Sequence, residues 1–233
     1  LMIGTNPVVS HGQTPMFENP IERLRSTARS ADVWVVDPRT TETARLGSHH
    51  LAIRPGTDHV LLAFLVRGVL ERADLVALHA RADHVGELVA AVAPFTLERA
   101  VAVTGLDPDD LTALLDAVHA AGRVAVLSGT GVTMNPGANA VEWMVWALLL
   151  ATDSFDRPGG MWCNPGYLAR LDRRDSLPAA PAPEPGPSTR PDIARLLGEW
   201  PASLIPAEIE AGTLKALVVL GANLVTCLPD TPR

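Results

Sequence analysis

The sequence predicts an α/β fold in three layers, with a mostly parallel sheet and helices on both of its faces. Three observations predict it. Short apolar runs alternate with stretches of helical periodicity, as a parallel sheet and its crossover helices require. Several of these runs end in a cluster of Gly, Asn or Asp, residues suited to the turn at the carboxyl end of a strand. The 233 residues are 47% hydrophobic and 19% charged, ordinary globular composition for one large domain or two smaller ones.

The elements follow in order. Leu1 to Ile3 reads as a strand running into Gly4-Thr5-Asn6-Pro7. Asn19-Pro20-Ile21-Glu22 is a helix start, with Asn at the cap, Pro at the first position and Glu at the third. That helix reaches Ser30. Val33 to Val36 is a buried strand ending in Asp37-Pro38-Arg39, and Thr40 to Leu46 is a turn or short helix. His50 to Ile53 is a further strand, ending in Arg54-Pro55-Gly56-Thr57-Asp58. Asp58 is placed to cap the next helix, whose stripe is Leu61, Leu65 and Val69. Helices follow over Asp83 to Val92 and Asp109 to Ala121. Arg123 to Leu127 is a strand opening into a glycine-rich loop, Ser128-Gly129-Thr130-Gly131. Asn139 to Ala151 is a helix apolar nearly all round, hence buried. Six prolines between Leu177 and Pro191 mark a solvated excursion or linker. Leu214 to Leu220 closes the series as a strand ending in Gly221-Ala222-Asn223.

Composition narrows the function classes. The net charge is −7 and Lys215 is the only lysine, with no basic block of the kind a nucleic-acid surface shows. Two cysteines, Cys163 and Cys227, form neither a disulfide framework nor a four-cysteine metal site by themselves. The longest apolar run, Val141 to Ala151, is too short for a bilayer, and no signal-peptide pattern is visible. A cytoplasmic location is the expectation. Leu1-Met2-Ile3 reads as the end of a buried strand, and the last residues follow another strand, so both ends are expected to lie inside a larger protein.

In an open parallel sheet, ligands sit beyond the carboxyl ends of the strands. The tips at Gly4, Asp37, Gly56, Gly129 and Gly221 would line one crevice if they share an edge. Glycine there allows close backbone approach, and exposed N–H groups can cradle phosphate. A carboxylate can accept two hydrogen bonds from a guanine edge or bind ribose hydroxyls, which singles out Asp37 and Asp58. Arg39 suits a phosphate. Each motif also has a plain reading. Gly129 and Gly131 serve equally well as a turn, Asp37-Pro38 as a strand terminator, and Asp58 as a helix cap.

Taken in order, the tips resemble a known family. Gly4-Thr5-Asn6-Pro7 with Ser10-His11, Val35-Val36-Asp37-Pro38-Arg39 with Thr41-Glu42-Thr43-Ala44, and Ile53-Arg54-Pro55-Gly56-Thr57-Asp58 are similar to the molybdopterin oxidoreductases. This is the family of formate dehydrogenases, nitrate reductases, dimethyl sulfoxide reductases and thiosulfate or polysulfide reductases. The resemblance continues through Thr104-Gly105, Gly129-Thr130-Gly131-Val132-Thr133, Leu148 to Asp156 with Pro158-Gly159-Gly160, and Leu217 to Asn223.

The resemblance implies a molybdenum or tungsten ion held by two molybdopterin guanine dinucleotides. Gly4, Thr5 and Asn6 would line the phosphate and sugar path of one dinucleotide. Asp37 and Arg39 would contact its nucleoside, and Asp58, in the turn with Gly56, the guanine edge. Gly129, Gly131 and Thr133 would approach the pterin and metal. Gly221 and Asn223 would repeat the Gly-x-Asn tip for the second dinucleotide, although Leu224 stands where Pro is usual. Met134 occupies a place where formate dehydrogenases and periplasmic-type nitrate reductases often carry Gln. His49 and His50 are tempting metal ligands, with surface or supporting roles as the plainer reading.

The iron–sulfur cysteines and the metal-ligating residue of this family lie upstream of the Gly-Thr-Asn-Pro tip. The segment is therefore expected to hold cofactor without catalytic or metal-binding residues of its own. The expected organisation is a Rossmann-like dinucleotide-binding domain over 1–160, a Pro-rich linker over 161–192 and a partial second lobe over 193–233. The parent would act on a small anionic substrate and pass electrons to iron–sulfur centres or partner subunits. The alternative is a non-catalytic scaffold subunit of the same fold. A nicotinamide-binding domain would need Gly-x-Gly-x-x-Gly in its first turn, which Gly4-Thr5-Asn6-Pro7 lacks.

Overall fold

A computed structural model describes residues 1–11, 18–162, 186–193 and 199–228. The chain divides into two compact units, Leu1–Asn164 and Pro165–Arg233. Most of the proposed Pro-rich linker lies outside the described residues.

The first unit is built on four parallel strands, β1 (Met2–Ile3), β2 (Trp34–Val36), β3 (His49–Leu51) and β4 (Leu127–Ser128), in the order β3-β2-β1-β4. Register is direct: Met2 pairs with Val35 and Leu127, and Val35 with His50. Alternate strand residues face opposite ways. Ile3, Trp34, Val36 and Leu51 enter one hydrophobic cluster, while Val33 and Val35 enter another, with Met2 packed against it. Two clusters on two faces are the physical signature of a three-layer sheet.

The smaller cluster is closed by α2 (Pro20–Ser30), which follows the one-turn α1 (Pro7–Ser10) and supplies Leu24 and Ala28. Its cap is the predicted one: the Asn19 side chain accepts from Glu22 N–H, and Pro20 leads the helix. The larger cluster centres on α3 (Asp58–Leu70), fully buried at Leu61, Leu62 and Leu65. Against it stand α4 (Leu75–His79), α5 (Val85–Val92), α6 (Leu97–Thr104), α7 (Pro108–Ala121), the one-turn α8 (Thr130–Thr133) and α9 (Ala138–Ala151). No helix among the described residues is long and apolar enough to cross a membrane.

Several expectations need correction. The strand foreseen over Arg123 to Leu127 shrinks to Leu127–Ser128. Upstream, the Val124 and Val126 amides donate to Ser154 Oγ at 2.9 Å and Met161 Sδ at 3.2 Å rather than to a strand. The loop foreseen at Gly129–Gly131 becomes the start of α8, with Gly129 at its cap position. Helices α4 and α6 were not foreseen. Helix α6 has a Thr96 cap and a left-handed Gly105 at its end, signals that mark both boundaries. Helix α9 is apolar, but Trp143 and Trp146 are exposed.

The second unit contains a 3-10 turn (Ala202–Leu204), α10 (Ile205–Glu210) and α11 (Leu224–Cys227). The strand foreseen over Leu214 to Leu220 does not form: the segment has no regular secondary structure, and Val218 is 80% and Leu220 85% exposed. A strand needs a neighbour to satisfy its backbone, and among the described residues none pairs there.

Candidate functional site

The sheet order places β2 and β3 on one side of β1 and β4 on the other. Chain direction therefore switches between β1 and β4, where an open α/β sheet forms its crevice beyond the carboxyl ends. Along that edge run the segments after β3, β2, β1 and β4, carrying Gly56 and Asp58, Asp37 and Arg39, Gly4 to Asn6, and Gly129 to Thr133. The expected tips of the first unit thus share one edge.

At the switch point the two tips interlock. Gly131 N–H donates to the Gly4 carbonyl at 2.9 Å. A Cβ on Gly4 would lie 2.8 Å from Val132 N, and one on Gly131 would lie 2.8 Å from Gly4 O. A Cβ on Gly129 would meet Gly4 O and the Thr5 side chain at under 3 Å. These glycines are required by each other's backbones, a reason for glycine that the sequence alone does not distinguish from approach to a ligand.

Asn6 begins α1, yet its side chain makes no cap bond. Its Oδ1 accepts from Thr43 Oγ1 at 2.7 Å and Thr43 N at 3.3 Å, while Nδ2 donates to Glu42 Oε2 at 2.9 Å. The Asn6 bond holds the Glu42 carboxyl below the usual range. The first two recognisable motifs of the sequence are therefore bonded to each other. Thr43 is fully buried, and the Thr41-Glu42-Thr43 setting is the one local signal of its role.

At the tip of β2, Asp37 Oδ1 accepts from Arg39 N–H at 2.9 Å, closing a tight turn. His50 Nε2 lies 2.9 Å from the Asp37 carbonyl. A carbonyl only accepts, so Nε2 carries the proton. His49 stacks on Trp34, with ring centroids 3.9 Å apart. These partners give both histidines supporting roles. Among the described residues no group of three or more His, Cys, Asp or Glu is placed to hold a metal ion. Arg39 is exposed and has no ion pair among the described residues.

After β3, Pro55 and Gly56 form a turn in which Gly56 takes φ +79° and Thr57 Oγ1 donates to Arg54 O at 2.7 Å. Arg54 itself caps α6, its Nη1 donating to Val103 O at 2.6 Å. Arg54 N–H also donates to Thr104 O at 2.9 Å, which ties this turn to the end of α6. The cap position of α3 falls to Thr57, without a side-chain bond, and Asp58 is the first helical residue. Asp58 is only 5% exposed. Burial raises its pKa above the ordinary value, more than its own backbone N–H and nearby His59 lower it. The Asp37 charge raises it further, so the two carboxylates share one electrostatic neighbourhood.

In the second unit, Gly221 takes φ +64° and Asn223 occupies the cap position of one-turn α11 without a side-chain bond. Gly4 at φ +55° and Asn6 ahead of one-turn α1 have the same arrangement. The Gly-x-Asn repeat is thus a repeat of backbone geometry, with Leu224 in the place of Pro7.

Fold and crevice define an open α/β domain with its candidate ligand edge at the sheet's switch point. Its likeness to acetylene hydratase from Pelobacter acetylenicus, at a TM-score of 0.54 and 18% identity over 65% of this chain and 21% of the other, supports the fold. No family model matches the chain. A probable oxidoreductase, YjgC, of Bacillus subtilis is 32% identical over 161 residues, 68% of this chain and 16% of the relative. The putative formate dehydrogenase YrhE of the same organism is 25% identical over an equal span. The NADPH-Fe(3+) oxidoreductase subunit alpha of Geobacter sulfurreducens is 27% identical over 221 residues, 89% of this chain and 26% of the relative. The chain belongs to the molybdopterin oxidoreductases and spans about a sixth to a quarter of the length of these relatives.

Proposed function

We propose that this chain is a cofactor-binding segment of a molybdenum or tungsten oxidoreductase, holding the guanosine end of a molybdopterin guanine dinucleotide. The observation that carries the reading is Asp58: a buried carboxylate at the crevice edge, in the electrostatic neighbourhood of Asp37, whose own backbone N–H offsets only part of its desolvation. A carboxylate is retained in such a place at a desolvation cost, and two adjacent N–H donors of a guanine edge would compensate it.

The residues fit the group. Asp58 would take the guanine edge, and Asp37, whose Oδ1 alone is engaged by Arg39 N–H, would take ribose hydroxyls. Arg39 would pair with phosphate. Gly4, Thr5 and the backbone of Asn6 would line the dinucleotide's phosphate and sugar path, and Gly56 would shape the turn that presents Asp58. Gly129, Gly131 and Thr133 would face the pterin end, and Gly221 and Asn223 a second dinucleotide. When bound, the metal and its pterins supply the redox chemistry, and the protein supplies binding and orientation. In the parent, a small anionic substrate, iron–sulfur centres and electron-transfer subunits complete the reading.

Guanosine diphosphate titrated into the chain tests it. Saturable binding lost in Asp58→Ala, with the fold intact by circular dichroism, supports the reading. Binding indifferent to Asp58 rejects it. The scaffold alternative predicts a parent containing neither molybdenum nor tungsten by elemental analysis.

A further inference from the structure

Asn6 stands at the crevice edge, but its amide is already engaged on both sides. Oδ1 takes two hydrogen bonds from Thr43, and Nδ2 gives one to Glu42. Thr43 Oγ1 also accepts from Val8 N–H at 3.3 Å. An amide has two donors and two acceptor sites, so three of the four are used within the protein. Glu42 does a specific job in this arrangement. A carboxylate only accepts, so it fixes which end of the amide is Nδ2 and leaves Oδ1 facing the buried Thr43.

These bonds tie the tip of β1 to the segment that leaves β2. That segment begins with the Asp37–Arg39 turn, itself closed by one hydrogen bond from Arg39 N–H. We propose that Asn6 and Glu42 are positioning residues, a latch through Thr43 that sets the Asp37–Arg39 turn for its ligand, and that the Asn6 side chain does not contact the ligand. The proposal rests on the nucleotide reading above for the ligand's identity, but its structural half stands independently.

An exchange of donor and acceptor tests it. Asn6→Asp sets one carboxylate against another and should open the latch. Glu42→Gln alone keeps an acceptor for Nδ2 in only one of its two amide orientations and should raise exchange by less than N6D. The double variant N6D/E42Q restores one donor and one acceptor with the direction reversed. Amide hydrogen exchange at Arg39 and Thr43 should rise about tenfold in N6D, the weight of roughly one hydrogen bond, and return to the wild-type rate in the double variant. Guanosine diphosphate affinity should fall and recover in parallel.

Exchange at Arg39 unchanged in N6D overturns the latch. Affinity that falls in N6D and stays low in the double variant, despite restored exchange, assigns Asn6 to the ligand and overturns the proposal. Absence of guanosine diphosphate binding by the wild-type chain, with the exchange pattern as expected, rejects the nucleotide reading and the ligand half of this proposal, leaving the latch as architecture.

Discussion

Gly131 N–H donates to the Gly4 carbonyl across the switch point of the sheet, at 2.9 Å. A Cβ on Gly131 would fall 2.8 Å from that oxygen and 2.9 Å from Gly4 Cα. Both are backbone atoms of a central strand's tip, so neither has a rotamer through which to yield. Gly131→Ala is expected to destabilise the first unit by about 1–3 kcal/mol, the usual range for forced overpacking. In a domain of this size that lowers the melting temperature by several degrees. An unchanged melting temperature by circular dichroism would show that the two tips separate freely.

Gly56 tests the opposite cause. A Cβ there would meet nothing within 4 Å, but φ is +79°. The only penalty is conformational, about 1–2 kcal/mol for an ordinary residue in the left-handed region. Asn tolerates that region better. Gly56→Asn should therefore unfold at a higher temperature than Gly56→Ala, an ordering not expected if space were limiting.

Much of this architecture was legible because it is local. The Asn19-Pro20-x-Glu22 start of α2, the apolar face of α3 and the glycine after α6 all act within a turn or two of their own sequence. The illegible parts depend on partners far along the chain. Strand β4 is cut short by Ser154 and Met161, 30 and 35 residues from the amides they engage. Asn6 is explained by Thr43, 37 residues on. Val218 and Leu220 have strand composition, but pairing decides whether a strand forms. The glycines at 4, 129 and 131 follow strands β1 and β4, yet sequence alone does not reveal that they accommodate one another.

Glu208 gives a pH-dependent test in the second unit. Its carboxylate accepts from the Thr189 and Thr213 hydroxyls, from Thr189 N–H at 2.8 Å and from Ser188 Oγ at 3.0 Å. These bonds lower its pKa to about 2 from an ordinary 4.5. A depressed pKa means that the folded state binds the proton less readily than the unfolded state. The stabilisation is full above the ordinary value and is lost as pH falls through about 2. Protection of the Thr189 amide, followed by NMR, should decline across that window in the wild type. In Glu208→Gln it should be weaker at neutral pH and flat across the same range. Equal acid sensitivity in the two proteins would exclude Glu208 as the titrating group.

Asp58 carries the opposite sign. Burial raises its pKa, so the folded state binds this proton more tightly than the unfolded state. Its contribution to stability is fully present below the unfolded value and declines as pH rises through the folded one. At neutral pH the ionised carboxylate is therefore a burden on the fold in the absence of a ligand. Asp58→Asn removes that burden while keeping the shape. The variant should melt above the wild type at pH 7, and the difference should shrink below about pH 4, where the wild-type side chain protonates even in the unfolded chain. The same substitution replaces one acceptor oxygen with a donor, so guanosine diphosphate affinity should fall at least about tenfold, as expected for a lost charged hydrogen bond. Greater stability with weaker binding is the pattern of a residue kept for its ligand. Lower stability at pH 7 with unchanged binding would mark Asp58 as a contributor to the α3 terminus alone.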